Sequence, residues 1–206
     1  PRVYSGCNVR SADAIELFLK TIIDTSVCEL TRLESTNATE MAKVLENSYR
    51  AMNIAFAVEW SRYAEEAGVD LYGMVDAIRV RKTHANLMYP GVGVGGYCLT
   101  KDPWFLSALG AKHGASIYLP QTGRKVNDKM PHYSADSISR YFKGNNRPLS
   151  SLKVAILGYS FKSNSGDVRF SPMEKFVEYM FDANVLNINV FDSTISEAAI
   201  NDSRVV

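Results

Sequence analysis

Between Thr36 and Ala67 the chain contains neither proline nor glycine. Within that stretch Met41, Val44, Leu45, Ser48, Met52, Ala55, Phe56 and Glu59 recur at steps of three and four, the spacing of one helical face. The pattern predicts a single helix of about thirty residues, against a mean helix length of about a dozen. Gly68 ends it. A helix this long with apolar character on several faces needs other helices, or another subunit, to cover it. The chain is therefore expected to be built on a helical domain, with the long helix either at a subunit interface or in the core. A shorter helix is expected over Leu71–Arg79.

The flanks have a different character. Arg2–Ser5 reads as a short strand, and Ser11 is expected to open an amphipathic helix, ADAIELFLKTIID, followed by a second strand over Ser26–Thr31. After a glycine-dense loop over residues 81–96, helical character resumes from Thr100 to His113 and from Gln121 to Phe142, with Pro131 as a kink or break. KGNNRPLSS reads as a linker. Beyond it LKVAILGYS has the form of a buried parallel strand, Ser171-Pro172 that of an N-cap and first turn, and PMEKFVEYMFDA that of a helix leading to a strand VLNINVFD. Strand, helix, strand in that order is a βαβ unit, the start of an α/β domain.

Composition narrows the setting. The net charge is +1, with 46% hydrophobic and 22% charged residues, which gives no signal for nucleic acid or an anionic membrane surface. No apolar run reaches the length of a membrane span, and the first residues lack a signal-peptide pattern, so a cytoplasmic location is expected. Cys7, Cys28 and Cys98 are odd in number and unpaired in spacing, which suits a reducing compartment. His84, His113 and His132 share no ligand spacing with them, and no metal site is expected. The chain opens on Pro1 and closes on DSRVV soon after a strand, which reads as part of a longer protein.

Three segments could carry chemistry. In PGVGVGGYCLTKDPWF, Gly91, Gly93, Gly95 and Gly96 allow close backbone approach to a ligand, and Cys98 follows them where a helix is expected to begin. A helix N-terminus favours the thiolate. Lys101 and Asp102 lie three and four residues on, expected on the face of Cys98. Thiol, cation and carboxylate together make a candidate nucleophilic site, against the plainer reading of a structural cysteine in a tight turn. On the long helix, Lys43 and Asn47 share one face and could hold an oxyanion, although a solvated lysine beside an amide has the same spacing. In SFKSNSGDVRFSP, Lys162 and Arg169 flank a polar loop ahead of a helix N-terminus, either a phosphate site or an ordinary βα loop.

Taken together these segments resemble the UDP-glucose/GDP-mannose dehydrogenase family. EMAKVLENSYRAMNIAFAVE is similar to its central helix, PGVGVGGYCLTKDPWF to its catalytic-cysteine loop, RKVNDKMP to the segment leading to its last domain, and KVAILGYSFKSNSGDVRFSP to the start of its UDP-binding domain. The wording of the central helix and of GVGGYC is nearest to the branch acting on UDP-N-acetylhexosamines. The resemblance implies a remnant of an NAD-binding domain over 1–34 and an all-helical, 6-phosphogluconate-dehydrogenase-like central domain over 35–143. The start of a Rossmann-like α/β UDP-binding domain follows over 144–206.

The resemblance also implies an activity: NAD-dependent oxidation of the C6 alcohol of a UDP-sugar to the uronic acid through a cysteine thiohemiacetal and thioester. Cys98 becomes the nucleophile, Lys43 and Asn47 the oxyanion pair, and Asp102 the carboxylate assisting water or proton transfer. Gly91, Gly93, Gly95, Gly96, Lys162 and Arg169 become substrate contacts, and Lys101 and Arg169 cofactor contacts. The long helix becomes a homodimer interface. The family's NAD glycine fingerprint and the segment carrying its catalytic glutamate are missing, so the chain alone is expected to be inactive. Arg79, Arg81, Lys82 and His84 all stand near the place of the family's intersubunit arginine, with nothing to choose among them. The alternative is a dimerisation and UDP-binding module without catalysis. A cysteine hydrolase is a weaker third reading, since no histidine lies near Cys98 in sequence.

Overall fold

The computed structural model describes residues 2–196, 200, 202, 204 and 205. Packing divides the chain partway along its long helix, into Pro1–Asn47 and Ser48–Val206.

The first unit is a small strand-helix-strand. β1 (Arg2–Tyr4) and β2 (Leu30–Arg32) pair in parallel, Val3 opposite Thr31, with α1 (Val9–Ile22) between them in sequence. The helix starts earlier than Ser11 because Asn8 is the cap. The Asn8 side-chain oxygen accepts the Ser11 N–H at 2.9 Å, and Ser11 Oγ accepts the Asn8 N–H at 3.1 Å, a reciprocal capping box. β2 starts later than Ser26 because Asp24 folds that segment into a turn: its carboxylate accepts Ser26 N–H at 2.9 Å and Ser26 Oγ–H at 2.6 Å. The long helix α2 then runs over Thr36–Ala67, as its lack of breakers requires.

In the second unit α2 ends where Gly68 takes φ +67°, and Asp70 caps α3 (Leu71–Arg79). A 3-10 turn over Lys82–His84 precedes the glycine loop. α4 (Tyr97–Lys112), α5 (Leu119–Asp128) and α6 (Met130–Gly144) follow. The expected kink near Pro131 is a complete break at Lys129, which leaves Pro131 in the first turn of α6, where its missing N–H costs nothing. Gly123 lets α5 lie against α2: a Cβ there would stand 3.2 Å from the Met52 Cα. Asn127 Nδ2 donates to the Ala51 carbonyl at 2.9 Å in the same seam.

The segment 143–151 is more than a linker. It contains a 3-10 turn, Leu149–Ser151, and buries Leu149 in the core of the α/β part. β3 (Lys153–Leu157) and β4 (Asn187–Phe191) pair in parallel, Ala155 opposite Asn189, joined through α7 (Pro172–Asp182). Ile156 and Ile188 of the strands meet Phe176, Val177 and Met180 of α7 in this core. Each such side chain contributes about 1.5–3 kcal/mol on burial. Among the described residues no helix is long and apolar enough to cross a membrane, and no cluster of His, Cys, Asp and Glu could hold a metal ion.

Candidate active site

The glycine loop that leads into α4 is held from two sides. From α5, the Arg124 guanidinium reaches in, 5% exposed, and Nη1 donates to the Val94 carbonyl at 2.9 Å. Its Nε donates to Asp128 at 2.9 Å, and Nη2 pairs with the same carboxylate. From the loop between β3 and α7, the Arg169 carbonyl accepts the Gly96 N–H at 3.1 Å. A Cβ on Gly95 would fall 2.6 Å from both Phe161 Cβ and the Phe170 carbonyl oxygen, and one on Gly96 would fall 2.7 Å from the Phe161 ring. Gly93 (φ +133°) packs against Pro172 and Pro131, whereas Gly91 has open space around it and edges a cleft of about 520 Å³ with Tyr133 and Ser137. At Gly93, Gly95 and Gly96 the neighbour that uses the missing side chain is the chain itself.

Gly96, at φ +84°, is the N-cap of α4, so the helix starts at Tyr97, three residues before the expected Thr100. Thr100 Oγ1 donates back to the Gly96 carbonyl at 2.8 Å and closes the first turn. Cys98 is thereby the second residue of α4, and it is exposed. Its expected neighbours differ in burial. Asp102 is buried, 6% exposed, while the Lys101 ammonium lies over the rings of Tyr97 and Phe105, at 4.3 and 5.1 Å from their centroids. Pro103 sits buried inside α4 and removes the bond that Leu99 would otherwise accept.

The loop from Gly158 to Ser171 presents Arg169 to this turn. Two of its side-chain nitrogens donate to the Asp167 carboxylate, at 2.8 and 2.6 Å. That fork and the Arg169 backbone N–H hold the Asp167 carboxyl at about 2. The guanidinium is raised in turn, first by its bonds to Asp167 and to a lesser degree by Cys98 and Tyr97. The Tyr97 and Phe170 rings are 6.1 Å apart. Lys162 is exposed on the same loop. Lys43 and Asn47 belong to the first unit, one turn apart on α2, with Lys43 exposed and Asn47 buried.

Several supports of this site were not singled out in the sequence. Asp192, just after β4, accepts five hydrogen bonds: from the backbone N–H groups of Tyr159, Ser160 and Thr194 and from the hydroxyls of Ser160 and Thr194. These hold its carboxyl well below the usual range, with the Ser160 N–H the largest influence. The signal was a strand-ending Asp followed by Ser-Thr, a turn signature. Nothing near Arg124 in the sequence sets it apart from the other charges of its helix, and only the fold turns it inward. Ser171 does act as the expected N-cap: its Oγ accepts the Met173 N–H at 3.2 Å and donates to the Tyr159 carbonyl at 2.5 Å.

Comparison with known proteins finds likenesses to one family. Residues 37–129 match the UDP-glucose/GDP-mannose dehydrogenase family, central domain. A UDP-N-acetyl-D-mannosamine dehydrogenase of Methanococcus vannielii is 32% identical over 89% of this chain and 40% of its own length. One from Salmonella typhi is 33% identical over 81% of this chain and 38% of its own. Among solved structures, a UDP-D-ManNAc dehydrogenase from Pyrococcus horikoshii superposes with a TM-score of 0.78 at 28% identity, covering 98% of this chain and 46% of that one. A UDP-glucose dehydrogenase from Pyrobaculum islandicum gives 0.83 at 25% identity, covering 100% and 46%. The chain thus spans 38–46% of the length of these relatives.

Proposed function

We propose that this chain, whose residues 37–129 match the central domain of the UDP-glucose/GDP-mannose dehydrogenase family, supplies the cysteine-bearing part of a dehydrogenase that oxidises the C6 alcohol of a UDP-sugar to the uronic acid. The sugar we favour is a UDP-N-acetylhexosamine, the substrate class in the names of the Methanococcus, Salmonella and Pyrococcus relatives. The observation that carries the reading is Cys98: an exposed thiol on the first turn of α4, two residues after a glycine cap that donates to the Arg169 carbonyl.

The cofactor of this reading is NAD, which accepts the hydrides. The turn after β1 does not fit a dinucleotide. Its one glycine, Gly6, is filled by α1 itself, since a Cβ there would stand 2.3 Å from the Ala12 nitrogen. The chain's own work concerns the carbonyl. The Cys98 thiolate adds to the C6 aldehyde, a C–S bond forms, and the carbonyl electron pair moves to oxygen, where Lys43 and Asn47 stabilise the charge. Once the carbon has reached the acyl level, water attacks the thioester, and the C–S bond breaks to release the acid and the free thiol. Asp102 assists the proton movements of that hydrolysis. Gly91, Gly93, Gly95, Gly96, Lys162 and Arg169 are assigned to the substrate, and Lys101 with Arg169 to the cofactor's side. The long helix is assigned to a homodimer, supported by Phe56 and Trp60, which stand 55% and 43% exposed on it. A cytoplasmic setting suits three free thiols.

The test joins this chain to the NAD-binding part of a longer relative and follows NADH with UDP-N-acetylmannosamine and with UDP-glucose. The expected result is NADH from one of the two sugars, with uronic acid production abolished in Cys98→Ala. If neither sugar yields NADH, or if the alanine variant still completes oxidation to the acid, the catalytic assignment fails and a dimerisation and UDP-binding module takes its place.

A further inference from the structure

A charged guanidinium that is 5% exposed needs a reason to be inside, and Arg124 has an unusual one. Two of its three bonding nitrogens go to Asp128 on its own helix. The third leaves the helix and takes the backbone carbonyl of Val94, at 2.9 Å. A planar peptide is oriented as a unit, so holding that oxygen fixes the whole Val94–Gly95 plane. The next two residues are the glycines that pack against Phe161, and the second of them caps α4 and donates to the Arg169 carbonyl. Two residues beyond that cap stands Cys98. A glycine loop has little stiffness of its own, and on the α5 side the fixed point is Arg124.

We propose that Arg124 is a positioning residue for Cys98: it sets the Val94–Gly95 peptide, and through it the first turn of α4 that carries the thiol. The inference rests on the reading of Cys98 as the reactive group, but it concerns the thiol's setting rather than any substrate. The role depends on the fork geometry. Lysine has one point of attachment and cannot hold both Asp128 and Val94 in the arrangement seen. Asp128, half exposed, serves as the charge partner from the same helix.

The experiment uses this chain as it is, with no sugar or cofactor, and so stands apart from the dehydrogenase assay. Iodoacetamide alkylation is followed residue by residue by peptide mass mapping at pH 7. Cys7, exposed in the other packing unit, is the internal control in the same tube. Cys98 is already exposed, so loosening its turn gains little access and loses the ordered helix N-terminus, whose positive end supports the negative charge that develops on an attacking sulfur. Arg124→Ala is expected to slow Cys98 at least threefold and leave Cys7 unchanged, and millimolar methylguanidinium is expected to restore most of the rate. Asp128→Asn, which keeps the bond to Val94, is expected to stay within about twofold of the wild type. Equal slowing of both cysteines in Arg124→Ala, a rate that methylguanidinium does not recover, or an Asp128→Asn effect as large as that of Arg124→Ala would each overturn the proposal. A dehydrogenase reading that fails its own assay leaves these rates unaffected.

Discussion

Replacing Gly95 with alanine puts one methyl group where the structure has no room for it. The added Cβ would meet the Phe161 Cβ and the Phe170 carbonyl oxygen at 2.6 Å and the Pro172 Cδ at 3.0 Å. None of the three is the free end of a flexible side chain, so relief requires the backbone of one loop to move. Overpacking of this kind costs about 1–3 kcal/mol, and the backbone contact places Gly95→Ala in the upper part, about 2–3 kcal/mol. For a unit of this size the melting temperature should fall by roughly 4–12 °C. Urea unfolding followed by circular dichroism gives the same quantity as a shift in midpoint at constant m. Gly144→Ala is the matched control. That glycine closes α6 with nothing within 4 Å of the added Cβ and no left-handed φ, so its alanine should be neutral or up to about 1 kcal/mol more stable. A Gly95→Ala protein within about 0.5 kcal/mol of the wild type would show that the glycine loop and the βα loop are not packed as described, and the reasoning would fail with it.

Two further outcomes follow from the βα loop. Asp192 and Asp167 are both held below their ordinary carboxylate range, Asp167 at about 2, so the unfolded chain binds more protons than the folded one as pH falls below about 4. Their contribution is complete above that value and is lost as pH falls toward 2. An acid titration of Asp192→Asn should therefore show a shallower loss of stability over that window than the wild type, and superimposable profiles would refute the assignment. Ser171→Ala removes a buried cap that both accepts from Met173 and donates to Tyr159, and should cost about 1–2 kcal/mol in urea unfolding. A loss below about 0.3 kcal/mol would mean that the cap is replaced locally.

The elements that the sequence made legible are those governed by near neighbours. Thr36–Ala67 could be read end to end because nothing in it breaks a helix and Gly68 stops it, and Ser171-Pro172 announced α7 by its own chemistry. Boundaries slipped where a residue outside the periodic pattern decided them: Asn8 rather than Ser11 at α1, Asp24 at β2, and Gly96 at α4. Cys98 was legible as a candidate because its glycines and the helix start are contiguous with it. The supports were not. Arg124 lies 30 residues from Val94 and Asp192 lies 32 from Ser160, and nothing local distinguishes a charge that turns inward from one that stays in water. Lys101 shows the converse: its spacing from Cys98 was read correctly, but Tyr97 and Phe105, four residues to either side, hold its ammonium.

The interlock of the two loops also bears on how such a chain can change in descent. With Phe161, Phe170 and Pro172 lodged against bare backbone at Gly93, Gly95 and Gly96, neither loop is free to drift by itself. A larger residue at 95 is admissible only beside a smaller one at 161 or a re-routed backbone at 170, a smaller residue at 161 made first leaves a void, and position 96, at φ +84°, strains any larger residue whatever the space. Variation in the loop after β3 is therefore tied, residue against residue, to the approach to Cys98. A lineage that remodels one of these loops to take a new ligand must pass through paired substitutions, while Gly91, which faces open space, is under no such packing constraint.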